Sequence, residues 1–155
     1  MTLKILWPGQ TKNRESRRLE ESYLERINRL APCRLIVTRE ARGLPERFAE
    51  RIKTIEAEGL EKHIKDDYII CLIDKGREMS STDFARFIQE RGETSGRPLA
   101  FVAGGFLGLA ERFLDRADLR LSLSRMTLSH ELCRLVLLEQ IYRSLAILRG
   151  LSYAK

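Results

Sequence analysis

The chain contains few cysteines, and their placement excludes two classes of small protein. Its 155 residues include three, Cys33, Cys71 and Cys133. They are odd in number, lie far apart in apolar surroundings, and form neither a CxxC pair nor a cluster with histidine. This pattern argues against a disulfide framework and against a zinc site. We therefore interpret the cysteines as buried thiols in a reducing compartment and expect no metal.

The sequence also lacks a segment that would take it into or across a membrane. No apolar run approaches the length that spans a bilayer. The N-terminus has no apolar core followed by a cleavage site of small residues, as export requires. We therefore expect a soluble cytoplasmic protein that does not associate with membranes.

Charge is distributed unevenly along a chain whose length fits one domain, residues 1–155. The net charge of +6 divides into +4 for residues 1–60, −2 for 61–118 and +4 for 119–155. Basic ends around an acidic middle suit a surface that faces a polyanion, which is a weak indication of nucleic acid. On charge alone, an ordinary basic domain is the favoured interpretation.

Predicted strands alternate with predicted helices throughout, which favours an α/β domain with a parallel sheet. The continuous apolar run 68–73 is typical of a strand covered on both faces. The predicted strands are 3–7, 33–38, 68–73, 99–103 and 119–123. The predicted helices are 13–30, a charged segment after Pro45 that ends near Gly59, 82–90 with Ser81 as its N-cap, a segment after Gly108, and 130–149.

Two loops after the last two predicted strands are suited to hold a small molecule. The strand 99–103 stops at Gly104 and Gly105, and the strand 119–123 runs into a hydroxyl-rich loop before the long last helix. Two such loops at one edge of a parallel sheet would form one pocket. Taken alone, the Gly-Gly-x-x-Gly pattern is a weak nucleotide signal, and a tight structural turn is the favoured interpretation.

The order of these motifs resembles the SPOUT class of methyltransferases, and within it the small single-domain family called ribosomal RNA large-subunit methyltransferase H. The resemblance covers nearly the whole chain, and it depends on order and spacing rather than on one decisive motif. The matching segments are 3–9, Leu72 with Gly76 and 80–81, 104–105, 121–127, His130 with Arg134, 139–143, and 149–150 with Tyr153.

The resemblance implies a methyltransferase that acts on N3 of a pseudouridine in large-subunit ribosomal RNA, within the assembled ribosome. It implies a trefoil knot in the C-terminal third, which is a rare exception to unknotted topology. It also implies that S-adenosylmethionine is bound by the segments after three strands. The residues concerned are Leu72, Gly104, Gly105, Leu123, Ser124, Arg125, Met126, Thr127 and Leu128.

Three residues are candidates for the reaction itself. His130 lies at the start of a helix, which favours a neutral imidazole that can act as a base, although it could equally cap or pack the fold. Arg134 could hold a phosphate or the methionine carboxylate, or else pair with Glu131 three residues before it. Tyr153 could stack on a base with Lys155 on a phosphate, or the terminus could simply fray.

The last predicted helix, 130–149, is apolar on more than one side. A small domain covers only one such side comfortably, so the second side predicts a homodimer, with burial inside one protomer as the alternative. The resemblance also favours a dimer with its site at the interface.

Four departures from the family pattern leave the RNA target open. Ala154 stands where the family has histidine, and Ser129 stands where proline is usual. Phe106-Leu107 stands where a proline or serine followed by a polar or acidic residue is common, and Ile73 replaces an acidic residue. The alternatives are a SPOUT enzyme for another RNA, a catalytically silent RNA-binding dimer, and a nucleotide-binding protein of flavodoxin-like topology.

Overall fold

The computed structural model describes residues 1–154, and their five strands form one parallel sheet. The spatial order is β2-β1-β4-β3-β5, and every pairing is parallel. This architecture confirms the predicted α/β class. The strands are β1 (Leu3–Pro8), β2 (Cys33–Thr38), β3 (Tyr68–Glu78), β4 (Leu99–Val102) and β5 (Leu119–Ser122).

Helices cover both faces of the sheet, as the apolar strands require. One core gathers α1, α3 and α5, and a second core on the opposite face contains residues of α2 and α4. Alternate residues of β3 enter the two cores, Ile70 the first and Cys71 the second. The helices are α1 (Arg14–Asn28), α2 (Ala49–Glu61), α3 (Ser81–Thr94), α4 (Glu111–Leu114) and α5 (His130–Leu148), with short 3-10 turns at Glu46–Phe48 and Ser152–Ala154.

Side-chain caps fix where α1, α3 and α5 begin. The Asn13 side chain accepts a hydrogen bond from the Ser16 amide at 2.8 Å, and Ser129 caps α5 in the same way. The prediction that Ser81 caps α3 is wrong by one residue. Ser80 is the cap, because its hydroxyl accepts from the Asp83 amide, while the Ser81 hydroxyl donates to Gln140 on α5.

Strand β3 is longer than its apolar run predicts, because it contains a bulge. Both Leu72 and Arg77 pair with Leu121 of β5, so residues 73–76 are left outside the ladder. At Gly76 a Cβ atom would lie 2.6 Å from the carbonyl carbon of Leu121, so only glycine fits so close to the neighbouring strand. The bulge places Ile73 at the carboxyl edge of the sheet.

Helix α5 lies between α1 and α3 and packs against both. Its two apolar sides therefore have partners within the protomer. Between residues 1 and 154, no helix has the length and apolar character that a membrane crossing needs.

Two glycine substitutions should change stability in opposite directions. Gly76→Ala should lower the free energy of unfolding by about 1–3 kcal/mol, because the added methyl group overlaps the β5 backbone. Gly59→Ala should raise it by about 0.5–1 kcal/mol, because Gly59 lies inside α2 and a Cβ there would contact Thr38 at an ordinary 3.7 Å. Urea unfolding measures both, and a Gly76→Ala variant as stable as the wild type would contradict the described bulge.

Candidate functional site

The loops after β4 and β5 border one cleft at the carboxyl edge of the sheet. Its volume is about 370 Å³, and its wall includes Gly104 and Gly105 from the first loop and Thr127 and Leu128 from the second. Leu72 and the bulge of β3 close the third side. The two predicted loops therefore do meet, because the carboxyl ends of parallel strands share one edge.

Four other residues predicted to hold a cofactor lie around this cleft rather than in its wall. Leu123, Ser124 and Met126 border a smaller adjoining cavity of about 60 Å³, which shares Leu72 and Leu128 with the cleft. The Arg125 side chain is 88% exposed and lies 3.6 Å from Glu78, measured from Nε to Oε1. For these four, the role in cofactor binding stays a prediction.

The glycines of the first loop are required by the loop itself. Gly105 and Gly108 pair as an antiparallel bridge, and the Gly108 amide donates to the Gly105 carbonyl at 3.1 Å. A Cβ at Gly104 would lie 2.5 Å from the Gly108 carbonyl carbon, and Gly108 has a φ of +84°. The tight-turn interpretation is therefore correct for this loop, and a larger side chain at Gly104 would disrupt the turn as well as the cleft.

His130 stands between the cleft and a second, more open groove. This outer groove has a volume of about 620 Å³ and is bordered by the starts of α1 and α5 and by the Phe106 side chain. Burial lowers the pKa of His130 below its ordinary value, and the charges of Arg134 and Lys12 lower it further. The carboxylates of Glu131 and Glu40 raise this pKa, but each has a smaller effect than burial or the Arg134 charge. The imidazole is therefore neutral near pH 7 and able to accept a proton.

Arg134 does not occupy the position that a phosphate ligand needs, so this part of the prediction is corrected. Its side chain is only 1% exposed. The guanidinium donates to the carbonyls of Pro8 at 2.8 Å and Gly9 at 3.0 Å and to the Thr11 hydroxyl at 3.1 Å. It also lies over the Trp7 ring at 4.8 Å. The guanidinium is therefore hydrogen-bonded to groups of the protein itself, and Arg134 holds α5 against the end of β1.

The alternative partner of Arg134 is engaged elsewhere. The Glu131 carboxylate accepts hydrogen bonds from the backbone amides of Lys12 at 3.0 Å and Asn13 at 3.1 Å. These bonds hold the start of α1 beside the start of α5. The expected pair between Glu131 and Arg134 is thus replaced by a contact between two helix ends.

Two buried carboxyl groups near Arg134 were not predicted from the sequence. Glu20 of α1 is 4% exposed and accepts a hydrogen bond from the Thr11 hydroxyl, which links it to the guanidinium. Burial raises the pKa of Glu20, and the Thr11 hydrogen bond partly offsets this effect. The available signal was spacing, since Glu20 lies seven residues before the buried Ile27 and shares its helix face.

The second buried carboxyl group, that of Glu56, lies beneath the glycine loop. Its side chain accepts from the Ala41 amide at 3.2 Å, and a Cβ at Gly105 would lie 3.1 Å from its Oε1 atom. Burial raises the pKa of Glu56, and the nearby Glu40 carboxylate raises it further, although the Ala41 hydrogen bond lowers it. The Glu56 carboxyl group, whose pKa is raised, therefore packs directly against the backbone of the glycine loop.

Tyr153 belongs to a different part of the protomer from His130. Its ring lies 4.7 Å from that of Tyr142, and its hydroxyl donates to Glu139 at 3.1 Å. Burial raises the pKa of Tyr153 to about 12. Tyr142 follows His130 by twelve residues on α5, roughly 18 Å along the helix axis. The side chain of Ala154 and all of Lys155, with its predicted phosphate contact, lie outside the described residues.

The three cysteines are free thiols in the structure. Cys33 and Cys71 are buried, and Cys133 is partly buried where α5 borders the cleft. Burial raises the pKa of Cys133 to about 11 and those of the other two to about 12. All three are therefore protonated near pH 7.

Comparison with known proteins identifies relatives along the whole length of the chain. Residues 1–154 match the family model described as "Predicted SPOUT methyltransferase". The chain is 38% identical over 154 residues to the ribosomal RNA large subunit methyltransferase H of Geobacter metallireducens, covering 99% of this chain and 98% of that protein. It is 41% identical over 162 residues to the protein of the same name from Carboxydothermus hydrogenoformans, with full coverage of both.

The fold also resembles solved structures with little sequence similarity. A probable methyltransferase from Bordetella pertussis Tohama I matches with a TM-score of 0.56 at 12% identity. The match covers 92% of this chain and 95% of that one. At this identity the likeness concerns the fold alone.

Removal of the buried charge at Glu56 should stabilise the protein in a pH-dependent way. The pKa of Glu56 is raised in the folded state, so the folded protein binds the Glu56 proton more tightly than the unfolded chain does. The folded state therefore loses stability as pH rises above the ordinary glutamate pKa. Glu56→Gln should therefore be more stable than the wild type at pH 7 to 8, and the difference should vanish below about pH 4. Thermal unfolding across pH measures this.

The matched control is Glu58→Gln, on the same helix but exposed. It should leave the pH dependence of unfolding unchanged. A Glu56→Gln variant that is less stable than the wild type at pH 8 would show that the Glu56 charge is favourable where it lies.

Proposed function

Because this chain belongs to the SPOUT methyltransferase family, we propose that it methylates large-subunit ribosomal RNA with S-adenosylmethionine bound in the cleft between the loops after β4 and β5. The observation that carries the proposal is the position of His130, a neutral base at the edge of that cleft. The proposal extends to N3 of a pseudouridine as the acceptor, to the assembled ribosome as the substrate particle, and to the cytoplasm as the location.

The cleft has the size and lining that suit the cofactor. Its volume of about 370 Å³ lies within the usual range for small-molecule sites. Leu72, Leu109 and Leu128 offer apolar packing for an adenine ring, while the backbone at Gly104 and Gly105 offers polar groups for its edge. The cofactor would supply a methyl group already activated by its sulfonium charge.

The chain's own residues would then have two tasks, to remove a proton and to keep water away. A pseudouridine imide nitrogen must lose its proton to become a nucleophile, and the neutral imidazole of His130 can accept it. Phe106 and Leu128 border both the cleft and the outer groove, so they would cover the space in which the two substrates meet. Arg134 acts indirectly, since it anchors the helix that carries His130.

We further propose that the protein is a homodimer and that its C-terminal third carries the knot of its family. Residual apolar exposure on α5 supports the dimer. Leu132 is 47% exposed and Leu135 is partly buried, although α1 and α3 already cover the helix. A second protomer would cover these side chains.

Replacement of His130 should separate chemistry from cofactor binding. The wild type should bind S-adenosylhomocysteine in calorimetry and methylate ribosomes from a strain that lacks the modification. His130→Gln should lower kcat by about 100-fold or more with an unchanged cofactor Kd, because a general base contributes at least that factor. As pH decreases, the wild-type rate should fall at a pH below the ordinary histidine pKa, because the pKa of His130 is lowered. The rate of the variant should not show this fall.

His63→Gln is the matched control, because His63 is exposed in the turn after α2 and should leave the rate unchanged. Cofactor binding with no methyl transfer to any ribosomal particle would favour the silent RNA-binding dimer. Transfer to a different RNA would favour another SPOUT activity, and an absence of cofactor binding would overturn the proposal.

A charge on the side of α5 that the protomer covers only in part should prevent dimer formation. Leu135→Glu should give a monomer in sedimentation velocity at micromolar concentration, because the interface would otherwise bury an unpaired carboxylate. Ile55→Glu, at a 41% exposed position on α2 of the opposite layer, should remain a dimer. A wild-type protein that sediments as a monomer would contradict the proposed assembly.

A further inference from the structure

We propose that Phe106 is the surface on which the acceptor nucleobase stacks, and that it helps to determine which RNA this protein methylates. This inference rests on the proposed function, since it assigns the acceptor side of the same site. It assigns the outer groove to the RNA and the cleft to the methyl donor.

The cleft and the outer groove are contiguous. Both are bordered by Phe106, Thr127, Leu128 and His130. A methyl donor and its acceptor must approach to about 3–3.5 Å before the methyl group can transfer. An acceptor in the outer groove meets a donor in the cleft across these four residues.

The Phe106 ring is exposed to solvent. The side chain is 73% exposed, although burial of a phenylalanine is ordinarily favourable. Its ring centroid lies 6.3 Å from that of His130, and the two planes meet at 84°. The two rings therefore form a corner of the outer groove. A flat base stacked on Phe106 would present its edge toward the imidazole that is to take the proton.

The backbone from which the Phe106 ring projects is restricted. Phe106 and Leu107 form the tip of the turn closed by the bridge between Gly105 and Gly108. The absence of space for a Cβ at Gly104 further restricts the turn. A turn restricted in this way loses little backbone freedom when a ligand stacks on its aromatic side chain.

The surroundings favour a nucleobase over a second protein surface. Apart from Phe106, Leu128 and Leu132, the border of the outer groove is polar. It includes Asn13, Ser16, Ser129 and the acidic Glu131, whose carboxylate accepts hydrogen bonds from the backbone amides of Lys12 and Asn13. Lys12 is exposed and close enough to His130 to lower its pKa. An aromatic platform beside hydroxyl groups and a cation is the combination with which proteins bind unstacked bases of single-stranded RNA.

The test compares Phe106→Leu with Phe106→Tyr. Phe106→Leu keeps an apolar side chain but removes the aromatic face, so it should raise the KM for unmodified ribosomal particles about tenfold. The Kd for S-adenosylhomocysteine, the sedimentation coefficient and the unfolding temperature should stay as in the wild type. Phe106→Tyr should restore the wild-type KM, because it restores the aromatic face.

Phe48→Leu is the matched control, because Phe48 is an exposed aromatic residue on the turn before α2. It should leave every parameter unchanged. An unchanged KM in Phe106→Leu would overturn the proposal. A weaker Kd for S-adenosylhomocysteine would instead assign the ring to the donor, and a change in sedimentation would assign it to the dimer contact.

Failure of the proposed function remains distinguishable from failure of this inference. If the wild type binds S-adenosylhomocysteine but transfers no methyl group, filter binding of unmodified large-subunit particles replaces KM as the readout. Weaker retention of particles by Phe106→Leu, with full retention by Phe106→Tyr, would support the stacking role. Equal retention by both variants would overturn it.

Discussion

A single buried guanidinium, that of Arg134, connects the parts of the fold on which the site depends. A charge removed from water strongly destabilises the folded state unless hydrogen bonds or an opposite charge compensate it. The two terminal nitrogens of Arg134 donate to two backbone carbonyls at the end of β1 and to the Thr11 hydroxyl, whereas its buried Nε atom has no hydrogen-bond partner among the described residues. The end of a central strand and the start of the last helix are thereby fixed relative to each other.

That connection also determines the electrostatics of the neighbouring groups. His130 lies one turn before Arg134 on α5, and the positive charge helps to keep its imidazole neutral. The same charge partly offsets the cost of burying Glu20 and Glu56, whose pKa values nevertheless remain raised. The site thus combines a neutral base with carboxyl groups that hold their protons more tightly than usual, and one cation influences all of them.

The sequence predicted the sheet and the convergence of its loops well, because both follow from local patterns. Apolar runs located all five strands, three of them next to a glycine or a proline, and the position of the two loops followed from the parallel arrangement. The bulge in β3 was missed because it depends on the close approach of Gly76 to a strand that is distant in sequence. Arg134 was misplaced for a similar reason, since nothing near it in the sequence shows that its partners are Pro8 and Gly9.

The protonated state of Cys133 protects the protein from the chemistry proposed for its own cleft. A thiolate is a strong nucleophile toward an activated methyl carbon, whereas a thiol is a weak one. Cys133 borders the cleft, and its burial lowers its thiolate fraction near pH 7 well below the few per cent of an ordinary cysteine. With the proposed cofactor in the cleft, this burial would slow methylation of the sulfur atom that the fold places beside it.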